Sequence, residues 1–277
     1  LAIILGLEFS FTYHLSIKGI ALADVIAQYT GTVVGLSLLL WHLRGLIRFR
    51  SWHFNYVFFQ KLSLINSDIF LRTLFLICAF SFFTLQSLKL GPIYLAANTI
   101  LMSFMTFTSF AQDGFANVAE VLVGKNIGCG DFRASNQAIF DAGRWAIIVG
   151  ITFSLIYLLF GHLIINALTT FTEVRQIAKH QLIFIVLLPL ISVGSFFLDG
   201  VFIGATKFKE MRNTMFIAFA GFLTVWCLLH KFGNLGLWIA LLSFFAFRGL
   251  FMGTFFWLTH RKNIFYFISQ KNPQAIS

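Results

Sequence analysis

Seven stretches of this chain are each long and apolar enough to cross a lipid bilayer, and that number limits the folds open to it. They run over residues 18–43, 67–87, 92–124, 132–160, 172–204, 210–230 and 235–260. A spanning helix needs about 20 mostly apolar residues. The runs 92–124, 132–160 and 172–204 exceed that, so they must tilt or project beyond the hydrocarbon. An eighth run, residues 1–13, amounts to half a span. A transmembrane β-barrel would instead need segments of about ten residues in strict alternation. Long unbroken runs of Leu, Ile, Phe and Ala point to helices. The expected fold class is an all-α polytopic membrane protein with about seven full transmembrane helices and a partial one.

Composition excludes a soluble globule. Of 277 residues, 58% are hydrophobic and 11% charged, against roughly a quarter charged in soluble domains. The net charge of +10 therefore has to be placed by topology. The connections 44–66, 125–131 and 205–209, with their flanks and the C-terminal tail, hold twelve Lys and Arg, among them Arg44, Arg48, Arg50, Lys125, Lys207 and Lys271. The opposite side holds five: Lys18, Lys89, Arg175, Lys179 and Lys231. The richer side is expected to be cytoplasmic, which puts the C-terminus inside. The basic, aromatic connection around Trp52, Phe54 and Tyr56 then reads as a segment lying on the anionic leaflet rather than as a nucleic-acid site.

The chain opens on Leu1 inside an apolar run, with no signal-peptide pattern; the expectation is a fragment that lacks an N-terminal part. Cys78, Cys129 and Cys227 have neither metal-ligand spacing nor a disulfide framework. The seven His residues are scattered, no nucleophile has a His and acid nearby, and "GKNIGCGD" (124–131) lacks the strand and the G-K-[ST] of a phosphate loop. No enzyme, no metal and no cofactor are expected.

Charge inside apolar helices is costly, about 2.5–3.5 kcal/mol for Asp, Lys or Arg at the bilayer centre, so the few such residues are candidates for function. They are Glu8, Asp24, Asp113, Glu120, Asp141, Arg144, Asp199 and Arg248, with Asn98 among the uncharged ones. Asp113 and Glu120 are nearly two turns apart and share a helix face, as do Asp141 and Arg144. Counting inward from the ends of their runs sets Asp113, Asp141 and Asp199 at one depth, so a carboxylate cluster with Arg144 among it is expected. Excess acid over base would leave some carboxyls protonated, as suits groups that bind protons or cations. The competing reading makes Glu120, Asp141 and Arg144 ion pairs that pin helices together, and Asn98 an interhelical hydrogen bond. Arg72 stands near a helix end and is expected to snorkel.

A faint repeat relates residues 19–44 to 236–261: equal length, Gly at the start, Ala at the fifth position (Ala23, Ala240) and Arg at the end. It hints at two related bundles, divided at the 44–66 connection.

The stretches "AQDGFANVAEVLVGKNIGCGD", "NSDIFLRTLFLICAFSFFT", "LDGVFIGATKFKEMRN" and "IALADVIAQYTG" together resemble the multidrug and toxic compound extrusion (MATE) family. The first resembles its DinF branch, with a D-G-F-A-x-x-x-E-x-x-x-G-x-x-x-G pattern from Asp113 to Gly128. The resemblance implies twelve helices in two six-helix bundles and export by alternating access in exchange for protons or sodium ions. The substrates it implies are small cationic or amphipathic compounds. It implies a monomer in a bacterial inner membrane, with the lipid bilayer as its surroundings and no nucleic-acid partner. On that layout residues 1–43 end the first bundle, 44–66 join the bundles, 67–260 make the second and 261–277 form a tail. Residues Ala2, Gly6 and Asp24 depart from the branch, which carries Asn, Asp and Thr at the matching positions. The implied hypothesis is that a coupling carboxylate has moved to Asp24, with Glu8 as a second member; the competing reading is that Asp24 is merely solvated. The ion-coupling candidates are thus Asp24, Glu8, Asp113 and Asp199, and the polar-network candidates are Asn98, Glu120, Asp141 and Arg144. A lipid-linked saccharide flippase of the same superfamily and a non-functional remnant are the alternatives.

Overall fold

The computed structural model describes residues 8–9, 16–43 and 56–261, and all its regular structure is helical. Among the described residues seven long helices follow in order: α1 (Ser16–Leu43), α2 (Tyr56–Leu90), α3 (Pro92–Gly128), α4 (Phe132–Leu168), α5 (Thr172–Gly204), α6 (Phe208–Leu229) and α7 (Asn234–Arg261), with a short 3-10 turn at His230–Phe232. Each contains a stretch long and apolar enough to cross a membrane. Each of the seven full-length runs became a helix, while the half-span 1–13 lies almost wholly outside the described residues; α2, α3 and α4 continue a turn or more past the apolar runs that announced them, because a helix goes on after its side chains turn polar. The largest change is in α2, which starts at Tyr56 rather than at 67. The last part of the expected 44–66 connection is therefore helical, and residues 44–55 lie outside the described set.

The chain divides into two compact units at Tyr56. In the first unit α1 turns exposed side chains outward nearly all round. Its hydroxyls are satisfied internally: Thr30, Thr32 and Ser37 donate to the carbonyls of Ile26, Gln28 and Val33 at 2.7–2.9 Å. That arrangement suits a helix in lipid, where no water is present to take up a polar group.

The second unit is a bundle built around α5, which packs on α3, α4 and α7, while α6 packs on α7. The turns fit their residues. Gly91, at φ 127°, precedes Pro92 at the start of α3, where a proline loses no hydrogen bond. Asp131 caps α4 by accepting from the Ala134 N–H at 3.0 Å, so the glycine-rich stretch is a turn and a cap. Aromatic rings fill the core between α2, α6 and α7, as in the edge-on pairs Phe83–Trp238 and Phe82–Phe222.

Backbone contact between α3 and α5 depends on missing side chains. A β-carbon on Gly200 would overlap the Ala116 carbonyl, and one on Gly204 would lie 2.5 Å from the Glu120 carbonyl oxygen. Small residues let membrane helices approach this closely. Pro189 interrupts α5. Neighbouring side chains bond the carbonyls around it: Gln112 of α3 donates to the Pro189 carbonyl at 2.8 Å and Ser154 of α4 to that of Val186 at 2.7 Å. Ser192 in turn donates to Gln112 at 3.0 Å.

The close packing can be tested with two glycines of the same bundle, Gly200 on α5 and Gly114 on α3. Gly200→Val is expected to cost about 3 kcal/mol, the upper range for overpacking a filled site. Gly114→Ala, whose β-carbon would meet nothing within 4 Å, should change stability by less than about 1 kcal/mol. Thermal unfolding of the two variants in detergent checks the contrast.

Candidate functional site

Four helices of the second unit bring charge into one pocket of about 370 Å³. Arg72 comes from α2, Asp113 and Glu120 from α3, Asp199 from α5 and Arg248 from α7. Ser109, Asn117, Phe80 and Phe196 complete part of its wall. The two-turn spacing of Asp113 and Glu120 gives both carboxylates to the same side of α3. Gly200, beside Asp199, is what lets α5 lie against α3 at this level.

Asp199 is the hub. Its Oδ2 accepts from Nη2 of both Arg72 and Arg248. Arg248 is 1% exposed and Asp199 6% exposed, and the Arg248 guanidinium carbon lies 5.4 Å from the centre of the Phe196 ring, a cation–π distance. Buried charge of this kind is stable only when paired. Pairing is incomplete, however: Arg248 Nε and Nη1, Arg72 Nε and Asp199 Oδ1 are buried without a hydrogen-bond partner. Asp113 and Glu120 are half-buried and form no direct ion pair among the described residues. The five groups sum to two positive against three negative charges, or −1 when all are ionised. A second pair, Arg212 of α6 with buried Asp68 of α2 at 2.5 Å, ties the bundle near the same end.

The expected cluster is therefore partly corrected. Asp113, Glu120 and Asp199 meet, but Asp141 and Arg144 do not join them. Both point outward from α4 and face each other at 3.8 Å, with side chains 57% and 78% exposed. The inward face of α4 is made of Ser135, Ile139, Ala142, Ala146 and Gly150, and Asp141 and Arg144 fall off that stripe. The cations of the cluster are Arg72 and Arg248 instead. Arg72 does not snorkel: the early start of α2 places it several turns inside the helix. Its spacing of four from Asp68 was the available signal. Gln112 was missed, because a neutral amide carries no hydropathy penalty large enough to draw notice.

Asn98 lies elsewhere, as an interhelical hydrogen-bond centre. It donates to Ser87 at 2.8 Å and Asn234 at 2.7 Å, and accepts from Trp238 at 2.9 Å, joining α2, α3 and α7. Asp24 and Glu8 belong to the first unit and are exposed there; Ala2 and Gly6 lie outside the described residues. Among the described residues no group of His, Cys, Asp and Glu could hold a metal ion.

A multi-span helical bundle with a charged pocket between its helices defines a polytopic membrane protein with an intramembrane polar site. The chain belongs to the MatE family, whose model matches residues 69–229. It is 38% identical over 268 residues to DNA damage-inducible protein F of Escherichia coli K12, covering 95% of this chain and 58% of that protein. It is 23% identical over 241 residues to the chloroplastic Protein DETOXIFICATION 44 of Arabidopsis thaliana, covering 86% of this chain and 45% of that one. The chain thus spans about half the length of the curated relatives it matches. Among solved structures, a mutant of the Vibrio cholerae MATE transporter VcmN matches with a TM-score of 0.79 at 21% identity, covering 96% of this chain and 61% of that one. A MATE protein in the bent conformation matches with a TM-score of 0.78 at 15% identity, covering 98% and 61%. These likenesses establish the fold.

Removing the hub should be worse than removing a free acid. Asp199→Asn leaves two buried guanidinium groups without their carboxylate and is expected to cost about 3–5 kcal/mol. Asp113→Asn breaks no ion pair and should leave the unfolding temperature nearly unchanged. Thermal unfolding of the two variants side by side decides it.

Proposed function

We propose that the protein exports small organic compounds, cationic or amphipathic, across a bacterial inner membrane in exchange for protons or sodium ions, and that the α2–α3–α5–α7 pocket is where ion and transport state are linked. The observation that carries this reading is the pocket itself: three carboxylates facing two arginines inside membrane-spanning helices, with only Asp199 directly paired. Family membership and the transporters among its structural neighbours support transport as the general activity.

The charge balance supplies a mechanism. With all five groups ionised the pocket carries −1 and attracts a cation. Each proton taken up by Asp113 or Glu120 adds one positive charge, so one proton neutralises the pocket and two make it repel a cation. Asp199 is committed to two arginines by hydrogen bonds, whereas Asp113 and Glu120 form no direct ion pair, which makes Asp113 and Glu120 the candidates for exchange. An ion drives transport only if it favours one global state over the other. Losing the carboxylate charge would release the electrostatic hold between α3 and the arginines of α2 and α7, which gives the two states different helix packing. Asp24 remains a second coupling candidate in the first unit.

Efflux from proteoliposomes containing the full-length protein tests this. Asp113→Asn and Glu120→Gln should each reduce gradient-driven efflux of a cationic dye by about tenfold or more, the scale of a coupling free energy of 1–3 kcal/mol, while the protein stays folded. Efflux that keeps its ion dependence in the double variant would move the coupling site elsewhere. Asp24→Asn with unchanged coupling would remove that residue from the candidates.

A further inference from the structure

The pair that the polar cluster leaves out, Asp141 and Arg144, stands beside an apolar groove separate from the charged pocket. Helices α4 and α7 both pack on α5 and flank a groove of about 640 Å³ whose lining is almost wholly apolar. Ile147, Leu190, Ile191 and Leu250 make its walls, and Gly143, Gly194 and Gly249 lie along its length. A β-carbon on Gly194 would meet nothing within 4 Å, so that glycine forms open floor. Arg144 belongs to the lining.

The sequence of α4 sets the level of the groove in the bilayer. Residues 146–168, "AIIVGITFSLIYLLFGHLIINAL", hold no Asp, Glu, Lys or Arg and are long enough for the hydrocarbon core. Residues 132–144 hold Arg133, Asp141 and Arg144. The boundary falls at Arg144 and Trp145. Trp145 is 60% exposed, as suits a tryptophan at the headgroup level. The groove therefore runs from the interface into the hydrocarbon, with a cation and an anion at the interface.

We infer that this groove is a binding site for one phospholipid with an ethanolamine headgroup. One acyl chain lies over Gly194 between α4 and α7. The phosphate is held by Arg144, whose guanidinium fork matches phosphate oxygens. The headgroup ammonium donates to the Asp141 carboxylate. At 3.8 Å the Asp141–Arg144 contact is too long for a good direct hydrogen bond, so both groups keep their bonding capacity for a zwitterionic partner. Phosphatidylglycerol has no ammonium for Asp141, and phosphatidylcholine has no N–H to donate. Charge complementarity selects the ethanolamine lipid over phosphatidylglycerol, and hydrogen bonding to Asp141 selects it over phosphatidylcholine.

The test is native mass spectrometry of the full-length protein exchanged from detergent into mixtures of phosphatidylethanolamine, phosphatidylglycerol and phosphatidylcholine. The expected result is one retained phosphatidylethanolamine, favoured over either rival by about fivefold, the scale of one added hydrogen bond. Asp141→Asn and Arg144→Gln should each abolish the preference. Gly194→Leu, which fills the groove without a backbone clash, should abolish retention of all three. Equal retention of the three lipids, no retained lipid, or retention unchanged by Gly194→Leu would overturn the assignment. Should Gly194→Leu fail to fold, quenching by acyl-brominated phosphatidylethanolamine gives the same answer. The emission component lost in Trp145→Phe must be quenched more by brominated phosphatidylethanolamine than by brominated phosphatidylcholine, and equal quenching by the two lipids would count against the site.

Discussion

The hold of two guanidinium groups on one carboxylate oxygen organises the second bundle. Asp199 takes Arg72 from α2 and Arg248 from α7, so a single side chain of the central helix links two helices that reach it from different directions. Buried between packed helices, such charges have no solvent to fall back on, and the packing around them has to be arranged to suit. Gly200 sits beside Asp199 because α5 must approach α3 closely enough for Asp113 and Glu120 to face the same arginines. The glycine contact and the charge cluster are one construction.

That construction separates two kinds of carboxylate. Asp199 is buried and doubly paired; Asp113 and Glu120 are half-buried and lack direct ion pairs. Groups of the first kind fix geometry, because their ionisation is bound up with the stability of the bundle. Groups of the second kind can be altered without breaking a direct ion pair. Sequence position alone does not tell the two kinds apart.

Most of the fold was legible in the sequence, since hydrophobic runs of spanning length leave a chain few options. The ends of helices were less so: α2 begins at Tyr56 because helical structure persists through residues such as Gln60, Lys61 and Asn66 that break the apolar pattern. The acids of the pocket were legible as costly residues, and their shared depth followed from counting turns. Their cations were not. Asp141 and Arg144 looked like members because helical spacing shows which residues share a face but not which way the face turns. That depends on neighbouring small residues such as Ala142, Ala146 and Gly150 packing inward. Arg72 was hidden by a misplaced helix start, and the Asn98 centre needed Ser87, Asn234 and Trp238 to come together from distant parts of the chain.

The spacing of the hub along the chain imposes an order on its biosynthesis. Arg72 precedes Asp199 by 127 residues, and Arg248 follows it by 49. At elongation rates of 5–20 residues per second, α2 is made about 6 to 25 seconds before the carboxylate it will share. During that interval its guanidinium lacks its eventual partner, and a lone arginine at the centre of an inserted helix is costly. Asp113 and Glu120 of α3 are the first acids of the pocket to follow it, and its hydrogen-bonded partner comes only with α5. The second guanidinium of the hub comes only with α7, the last of the described helices to be made.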